Sequence, residues 1–449
     1  MAKLQTRFVC QACGAAVTRW MGRCGSCGAW NTLVEEAEPK KLARAAPSAT
    51  SRVQAIGDVA EDSSARVPTG IGELDRVLGG GAVLGGVVLV GGDPGVGKST
   101  LLMQALAGLA RKGCPALYVS GEESAGQTAA RARRLSGVAA TKDLMVLAEN
   151  DLDAIERAIA ECRPRAVVVD SVQTVRAGSL ESAAGTVSQL REVAARFVER
   201  AKKDGIATFL VGHVTKDGAI AGPKVLEHIV DTVLSFEGER GHALRTLRAQ
   251  KNRFGSATEV GVFEMTAEGM REVDSPSKLF LAERPKGASG SVIAATSEGA
   301  RSLLVEVQAL VGPSAGGSGR RTCTGVDSAR LAMILAVLDR KCGLSVTACD
   351  VFVNVAGGAR IDEPAMDLAV ALAVASSYRD RPVSPEIVAF GEIGLAGEVR
   401  GCSRVAGRLA EASALGFKRA IAPVSAGGTS ADIEVLGVRT LAQAIELAM

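Results

Sequence analysis

The run Gly91-Gly92-Asp93-Pro94-Gly95-Val96-Gly97-Lys98-Ser99-Thr100 constrains this chain more than any other stretch. It carries the spacing G-x-x-x-x-G-K-[S/T] at Gly92, Gly97, Lys98 and Ser99. A β-branched apolar run, Gly86–Val90, precedes it, and Leu101–Ala110 reads as a helix. Strand, glycine-rich turn and helix start are what phosphate binding needs. Glycines let backbone N–H groups approach the phosphate oxygens, and the helix N-terminus adds a partial positive charge. An ordinary glycine turn before a helix is the competing reading, and the full set of fixed residues in a strand–helix context disfavours it. The implied ligand is a nucleoside triphosphate cradled by Gly92, Asp93, Pro94, Gly95, Val96, Gly97, Lys98, Ser99 and Thr100. Lys98 would reach the β- and γ-phosphates, and the Ser99 hydroxyl would hold Mg²⁺.

The chain has 449 residues, enough for two or three domains with their own cores. Apolar residues make up 47%, but in short runs broken by Gly, Asp or Arg, so no membrane span is expected. The N-terminal stretch has no continuous apolar segment of the secretory type, and a soluble cytoplasmic protein is expected. With a net charge of +3, any nucleic-acid binding must rest on local basic patches. Aromatic residues are only 3%, which argues against base stacking on aromatic platforms as the main binding mode.

Four of the ten cysteines fall in the first thirty residues, as Cys10-Gln11-Ala12-Cys13 and Cys24-Gly25-Ser26-Cys27, each followed by a glycine (Gly14, Gly28). Paired C-x-x-C knuckles at this spacing match a zinc ribbon, with Cys10, Cys13, Cys24 and Cys27 as the ligands. The module holds too little apolar material to fold without a metal, so zinc would supply most of its stability. A redox dithiol pair is the weaker alternative in so small a module. Trp20 and Trp30 are expected to form the ribbon's small core rather than a stacking surface. Residues 35–65, rich in Ala, Glu, Lys, Ser and Pro, read as a mobile linker between a ribbon over 1–34 and a larger domain.

From Val67 the pattern is α/β. Ala116–Ser120 is a short apolar strand ending in Gly121-Glu122-Glu123, and Ser124–Leu135 is helical with Arg131, Arg133 and Arg134. Ala166-Val167-Val168-Val169-Asp170 is a buried parallel-type strand closing on an acid, about seventy residues after the phosphate loop. Asp170 there would hold the Mg²⁺ shell, through water or Ser99. Ser188–Lys203 is an amphipathic helix, and Ala207–His213 is a further strand. His213 at its end would sense a γ-phosphate or be a satisfied strand-end histidine, and both readings stay open. The sheet is then expected to turn antiparallel over Thr232–Glu237, Ala243–Gln250 and Glu259–Met265. Lys251-Asn252-Arg253-Phe254-Gly255 would be an exposed turn, either solvated or reaching a neighbour's triphosphate.

Together the four-cysteine ribbon, GDPGVGKST, YVSGEES and KNRFG resemble the bacterial RadA (Sms) family of RecA-like DNA repair and recombination ATPases, over essentially the whole chain. The resemblance implies ATP, Mg²⁺ and Zn²⁺ as cofactors. It also implies a hexameric ring on single-stranded DNA that processes branched DNA, by branch migration and D-loop extension, beside a RecA-type recombinase. It places Glu122 where such ATPases carry the carboxylate that activates water, with Glu123 its less favoured neighbour. Lys251 and Arg253 fall on the KNRFG cations expected to act across a subunit interface. The loops Arg176–Gln189 and Thr215–Lys224 would face the ring channel.

The last part, 276–449, resembles the proteolytic domain of Lon, around Gly290–Gln308, Val351–Leu372 and Gly391–Gly397. Where that protease carries its nucleophilic serine this chain has Ala365, within Glu363-Pro364-Ala365-Met366-Asp367, and where it carries the activating lysine this chain has Ala406. Neither alanine can attack a carbonyl or take a proton. An inactive assembly and DNA-binding platform is expected, with Arg320, Arg321, Arg330, Lys341, Arg360, Arg400, Arg404 and Arg408 offering a basic surface. The expected fold is thus α/β: a RecA-like P-loop ATPase core over 66–275, an N-terminal zinc ribbon, and a C-terminal Lon protease-like α+β domain. A DNA-dependent motor ranks ahead of an ATP-dependent protease and of a regulatory ATPase that remodels proteins without translocating.

Overall fold

The apolar run Val87–Gly92 lies at the centre of a nine-stranded sheet and is buried along its whole length. The computed structural model of the chain describes residues 6–10, 14–37, 66–138, 141–212, 225–238, 244–285, 287–314, 319–356, 363–427 and 432–449. Two compact units divide it, Met1–Val273 and Asp274–Met449.

In the first unit, Leu144–Ala148, Ala116–Ser120, Ala166–Asp170, Ala207–Val211, Val87–Gly92 and Thr232–Glu237 run parallel in that spatial order. Both faces are covered, which is why these strands read as continuous apolar runs rather than alternating ones. Val88, Val90, Tyr118, Val168 and Phe209 pack on helix Lys98–Arg111. Val87, Leu89, Val119, Val167 and Val169 pack on helices Leu152–Cys162 and Val187–Asp204.

Thr232–Glu237 departs from expectation. It lies parallel to Val87–Gly92, and the antiparallel part begins one strand later, with Leu244–Asn252, Val260–Thr266 and Gly269–Glu272. The crossover that reaches it includes helix Val225–Ile229, which returns the chain to the starting end of the sheet.

The ribbon is a small antiparallel sheet of Ala16–Val17, Thr6–Cys10 and Leu33–Ala37. Its core is Cys10, Cys24 and Leu33, with Phe8, Ala15 and Val17 against them. The tryptophans expected in that core lie outside it. Trp20 is 58% exposed and Trp30 69%, because thiols and one leucine already fill so small an interior.

The second unit is built on a seven-stranded mixed sheet around the hairpin Ser291–Glu298 and Arg301–Pro313. Strand alternation sends Val292, Ala294 and Val305 towards helices Ser328–Cys342, Asp367–Arg379 and Leu441–Ala448. Ile293, Ala295 and Leu304 face helix Val405–Ala414 on the other side. No helix among the described residues is long and apolar enough to cross a membrane.

Candidate nucleotide-hydrolysis site

Gly97 caps helix Lys98–Arg111 with a φ of 109°, and a Cβ built there would fall 2.1 Å from Met270 Cε. Only glycine meets both demands, so the loop's backbone can turn its N–H groups inward. Lys98, the first helical residue, is buried and donates to the Gly92 carbonyl at 2.6 Å and the Asp93 carbonyl at 2.9 Å. Burial pulls its ammonium below the usual lysine range, against the opposing charges of Asp170, Asp93 and Glu122. Those three carboxylates and one ammonium thus share a single electrostatic neighbourhood.

Strand register sets Ser120 beside Asp170, so Tyr118 and Asp170 project to the same face of adjacent strands. The Tyr118 hydroxyl donates to Asp170 Oδ2, and the phenol oxygen receives Arg131 Nη2 at 2.9 Å. Ser99 lies close enough to this phenol to draw its pKa down slightly. Tyr118 thus holds Asp170 with Ser99 close by, and a hydroxyl and a carboxylate in one neighbourhood fit a hard, oxygen-liganded cation. Burial, then the charge of Asp170, pushes the Tyr118 phenol far above its ordinary value and keeps it a donor. Arg131 lies 3.3 Å from Glu123 and 4.0 Å from Asp170. Glu122, the other acid of the pair, accepts from Ser171 Oγ at 2.8 Å, and Ser171 follows Asp170 across a cis peptide bond. Sequence reasoning missed the roles of Tyr118, Arg131 and Ser171. The one signal was a tyrosine in an otherwise aliphatic strand.

Lys251 and Arg253 do not join this cluster. Asn252 pairs with Thr232, Thr232 with Val88, and Phe236 with Gly92. The two cations therefore sit at the start of the central strand, roughly 13 Å along it from the phosphate loop. Lys251 Nζ donates to the Glu227 and Val230 carbonyls at 2.6 and 2.7 Å, and burial lowers its pKa, aided by the charge of Arg253. Arg253 pairs at 3.4 Å with the buried Asp231, yet its side chain stays 54% exposed. It borders a surface cavity of about 790 Å³ lined also by Arg165, Lys202 and Phe254.

Gln189 is buried and ties down the stretch after Arg176: it accepts from the Ala177 N–H at 2.8 Å and donates to the Ser182 carbonyl at 2.8 Å. His213 and the loop Thr215–Lys224 lie outside the described residues.

In the ribbon, the Gly14 and Gly28 N–H groups close each knuckle on the Cys10 and Cys24 carbonyls at 2.8 and 2.9 Å. The thiols of Cys10, Cys24 and Cys27 lie within 4.8 Å of one another, and Cys10 and Cys27 sulfurs are 3.7 Å apart. A tetrahedral zinc with Zn–S bonds of ~2.3 Å sets its sulfurs ~3.8 Å apart, so the site fits that ion. Cys13 lies outside the described residues.

In the second unit Arg408 is fully buried rather than part of a basic surface. It pairs with Glu363 and donates to the Ala295 carbonyl at 2.5 Å and the Ser403 carbonyl at 3.0 Å, stacked on Phe390. Arg330 is likewise spent on Asp367, through two bonds of 2.6 and 2.7 Å. Each is drawn inward by a carboxylate, Arg408 by the half-buried Glu363 and Arg330 by the buried Asp367. Arg360 lies outside the described residues.

A parallel sheet with a phosphate loop at its centre and an acid closing the second strand away defines a P-loop ATP hydrolase. Residues 54–219 match the family model described as AAA domain, residues 8–35 that of a Rubredoxin metal binding domain, and residues 327–426 that of Subunit ChlI of Mg-chelatase. DNA repair protein RadA of Listeria monocytogenes is 50% identical over 454 residues, covering 100% of this chain and 99% of its own. The proteins of that name from Halalkalibacterium halodurans and Bacillus subtilis are 50% and 49% identical, each covering 100% of both chains. The chain belongs to the RadA family of DNA repair proteins.

Proposed function

We propose that this protein is a DNA-dependent ATPase of recombinational repair, a motor that grips single-stranded DNA and remodels branched intermediates in the cytoplasm. The observation that carries the reading is the convergence of Lys98, Ser99, Glu122 and Asp170 on one end of the sheet, within reach of one triphosphate. Lys98 exchanges its two loop carbonyls for β- and γ-phosphate oxygens. Ser99 and Asp170 would hold Mg²⁺, which would supply charge neutralisation at the transferred phosphoryl group. Glu122, oriented by Ser171, takes the proton of the attacking water.

Lys251 and Arg253, level with the far end of strand Val87–Gly92, cannot serve the chain's own loop. Their position favours a ring or filament in which one subunit's far end meets the next subunit's nucleotide. Arg253 would there stabilise charge that develops in transfer, and a hexamer beside a RecA-type recombinase is the assembly we infer. The domain plan is a ribbon over 1–34, a linker over 35–65, the ATPase over 66–275 and a non-proteolytic Lon-like platform over 276–449. The Arg408–Glu363 pair supports the last point, since Glu363 and Arg408 lie two residues from Ala365 and Ala406, the positions of the missing dyad.

The test is steady-state ATP hydrolysis with and without single-stranded DNA at two salt concentrations, beside Lys98→Ala. Stimulation by DNA that falls with salt is expected, because counterion release makes backbone binding salt-dependent. Hydrolysis indifferent to DNA would favour a protein-remodelling ATPase instead.

A further inference from the structure

Trp20 and Trp30 are the chain's two tryptophans, and both lie exposed on the ribbon, where a protein interior would normally claim them. They are neighbours. A methyl placed on Gly22 would lie 3.8 Å from the Trp30 ring and 4.0 Å from that of Trp20. A β-bridge pairs Arg23 with Trp30, and the Arg23 guanidinium lies 5.7 Å from the indole centroid while its Nε donates to the Gly28 carbonyl at 2.9 Å. The arginine is thereby held beside the ring. Met21, 41% exposed, and Arg19 extend the same stretch. Between Gly14 and Val34 the sequence has two arginines and no carboxylate.

The geometry points to this face of the ribbon as a stacking platform for single-stranded nucleic acid, with bases laid on Trp20 and Trp30 and phosphates met by Arg19 and Arg23. The inference deepens the DNA-binding reading above and rests on it. Flat π-faces exposed in pairs suit unpaired bases of any sequence, and cations without competing acids suit a phosphate backbone. A protein surface would be expected to meet such a patch with carboxylates and apolar side chains. The stretch that carries both indoles brings no carboxylate of its own, the ribbon's Glu35 and Glu36 lying on the strand Leu33–Ala37, and so lacks the reciprocal charges that fix a protein partner's register. The small aromatic content therefore does not exclude stacking, because the aromatics are concentrated where they count.

The two tryptophans make the chain its own probe. Zinc-loaded full-length protein is titrated with dye-labelled oligothymidylate, following dye anisotropy for binding and indole emission for stacking. Indole emission is expected to fall with the same midpoint as the anisotropy rise. Trp30→Ala or Trp20→Ala should weaken binding about tenfold each, as loss of one base stack does. Trp30→Phe should recover most of it, and Arg23→Ala should flatten the salt dependence. Zinc content checks that each variant's ribbon is folded. An anisotropy rise with unchanged indole emission, or alanine variants that bind as the parent does, overturns the platform and assigns the face to a protein, leaving the DNA-dependent ATPase reading intact. No anisotropy rise at low salt overturns both.

Discussion

The Tyr118 hydroxyl donates to the Asp170 carboxylate from the neighbouring strand, and Arg131 in turn donates to the phenol oxygen at 2.9 Å. This relay fixes the acid that closes strand Ala166–Asp170 without using up its outer oxygen. Ser99 lies near the same phenol, so one buried side chain orients Asp170 beside the hydroxyl expected to share Mg²⁺ with it. A site assembled this way is ordered before nucleotide arrives.

Tyr118→Phe keeps the ring in its apolar slot and removes only the oxygen. A hydrogen bond to a charged group contributes about 1.5–3 kcal/mol, so the requirement for Mg²⁺ should rise roughly tenfold or more. Thermal stability should change little. Mg²⁺ titrations of both ATP hydrolysis and nucleotide binding check this. An unchanged Mg²⁺ midpoint would show that Asp170 holds its place unaided.

Arg253→Ala should leave ATP binding near the parental level, because Arg253 lies at the opposite end of strand Val87–Gly92 from the phosphate loop. Arg253 is half-exposed, and the buried Asp231 it pairs with keeps a bond from the Val87 N–H at 3.1 Å, so the fold should persist. Hydrolysis should nevertheless fall by about three orders of magnitude, the scale of a lost arginine finger. Mixing Arg253→Ala with Asp170→Ala subunits should restore part of the turnover. Mixtures no more active than either variant would remove the role in trans.

The strand–loop–helix around Gly92–Thr100 and the paired knuckles were legible because fixed residues at fixed short spacings carry them. The cluster around Asp170 was not. Tyr118 and Asp170 meet only through the register of two strands some fifty residues apart, and a tyrosine among aliphatics reads as core. Trp20 and Trp30 misled for the converse reason: large aromatic residues are assigned to an interior, and only the assembled ribbon shows that Cys10, Cys24 and Leu33 already fill it. Arg408 reads as surface charge because nothing local announces Glu363, forty-five residues earlier, as its buried partner. Thr232–Glu237 carries no local sign of its direction, and the crossover through Val225–Ile229 makes it parallel.

Removal of zinc tests the ribbon separately. Metal analysis should find about one ion per chain, the stoichiometry of a four-thiolate site. Chelation or Cys24→Ser should shift tryptophan emission, since Cys24 anchors the knuckle next to both indoles. ATP hydrolysis without DNA should survive, because Lys98 is held by the phosphate-loop carbonyls, Asp170 by Tyr118 and Glu122 by Ser171, all within the ATPase sheet. Loss of basal turnover on chelation would instead tie the ribbon to the nucleotide site.

The pair Arg408–Glu363 predicts an asymmetry between its two members. Arg408 is wholly enclosed, whereas the Glu363 side chain is 20% exposed and keeps bonds from Thr296 Oγ1 at 2.9 Å and the Ser297 N–H at 2.7 Å. Glu363→Gln strands a buried cation, whose remaining partners are the Ala295 and Ser403 carbonyls and the Phe390 ring. Breaking a buried pair this way costs about 3–5 kcal/mol. Arg408→Met keeps most of the volume and leaves a carboxylate that still has two donors and some water, so it should be the milder change. Thermal unfolding of the two variants checks the order. If Arg408→Met proves the more damaging, the arginine holds the domain by more than its pairing with Glu363. Neither substitution should produce peptidase activity, since the positions beside them, Ala365 and Ala406, have neither a nucleophile nor a base.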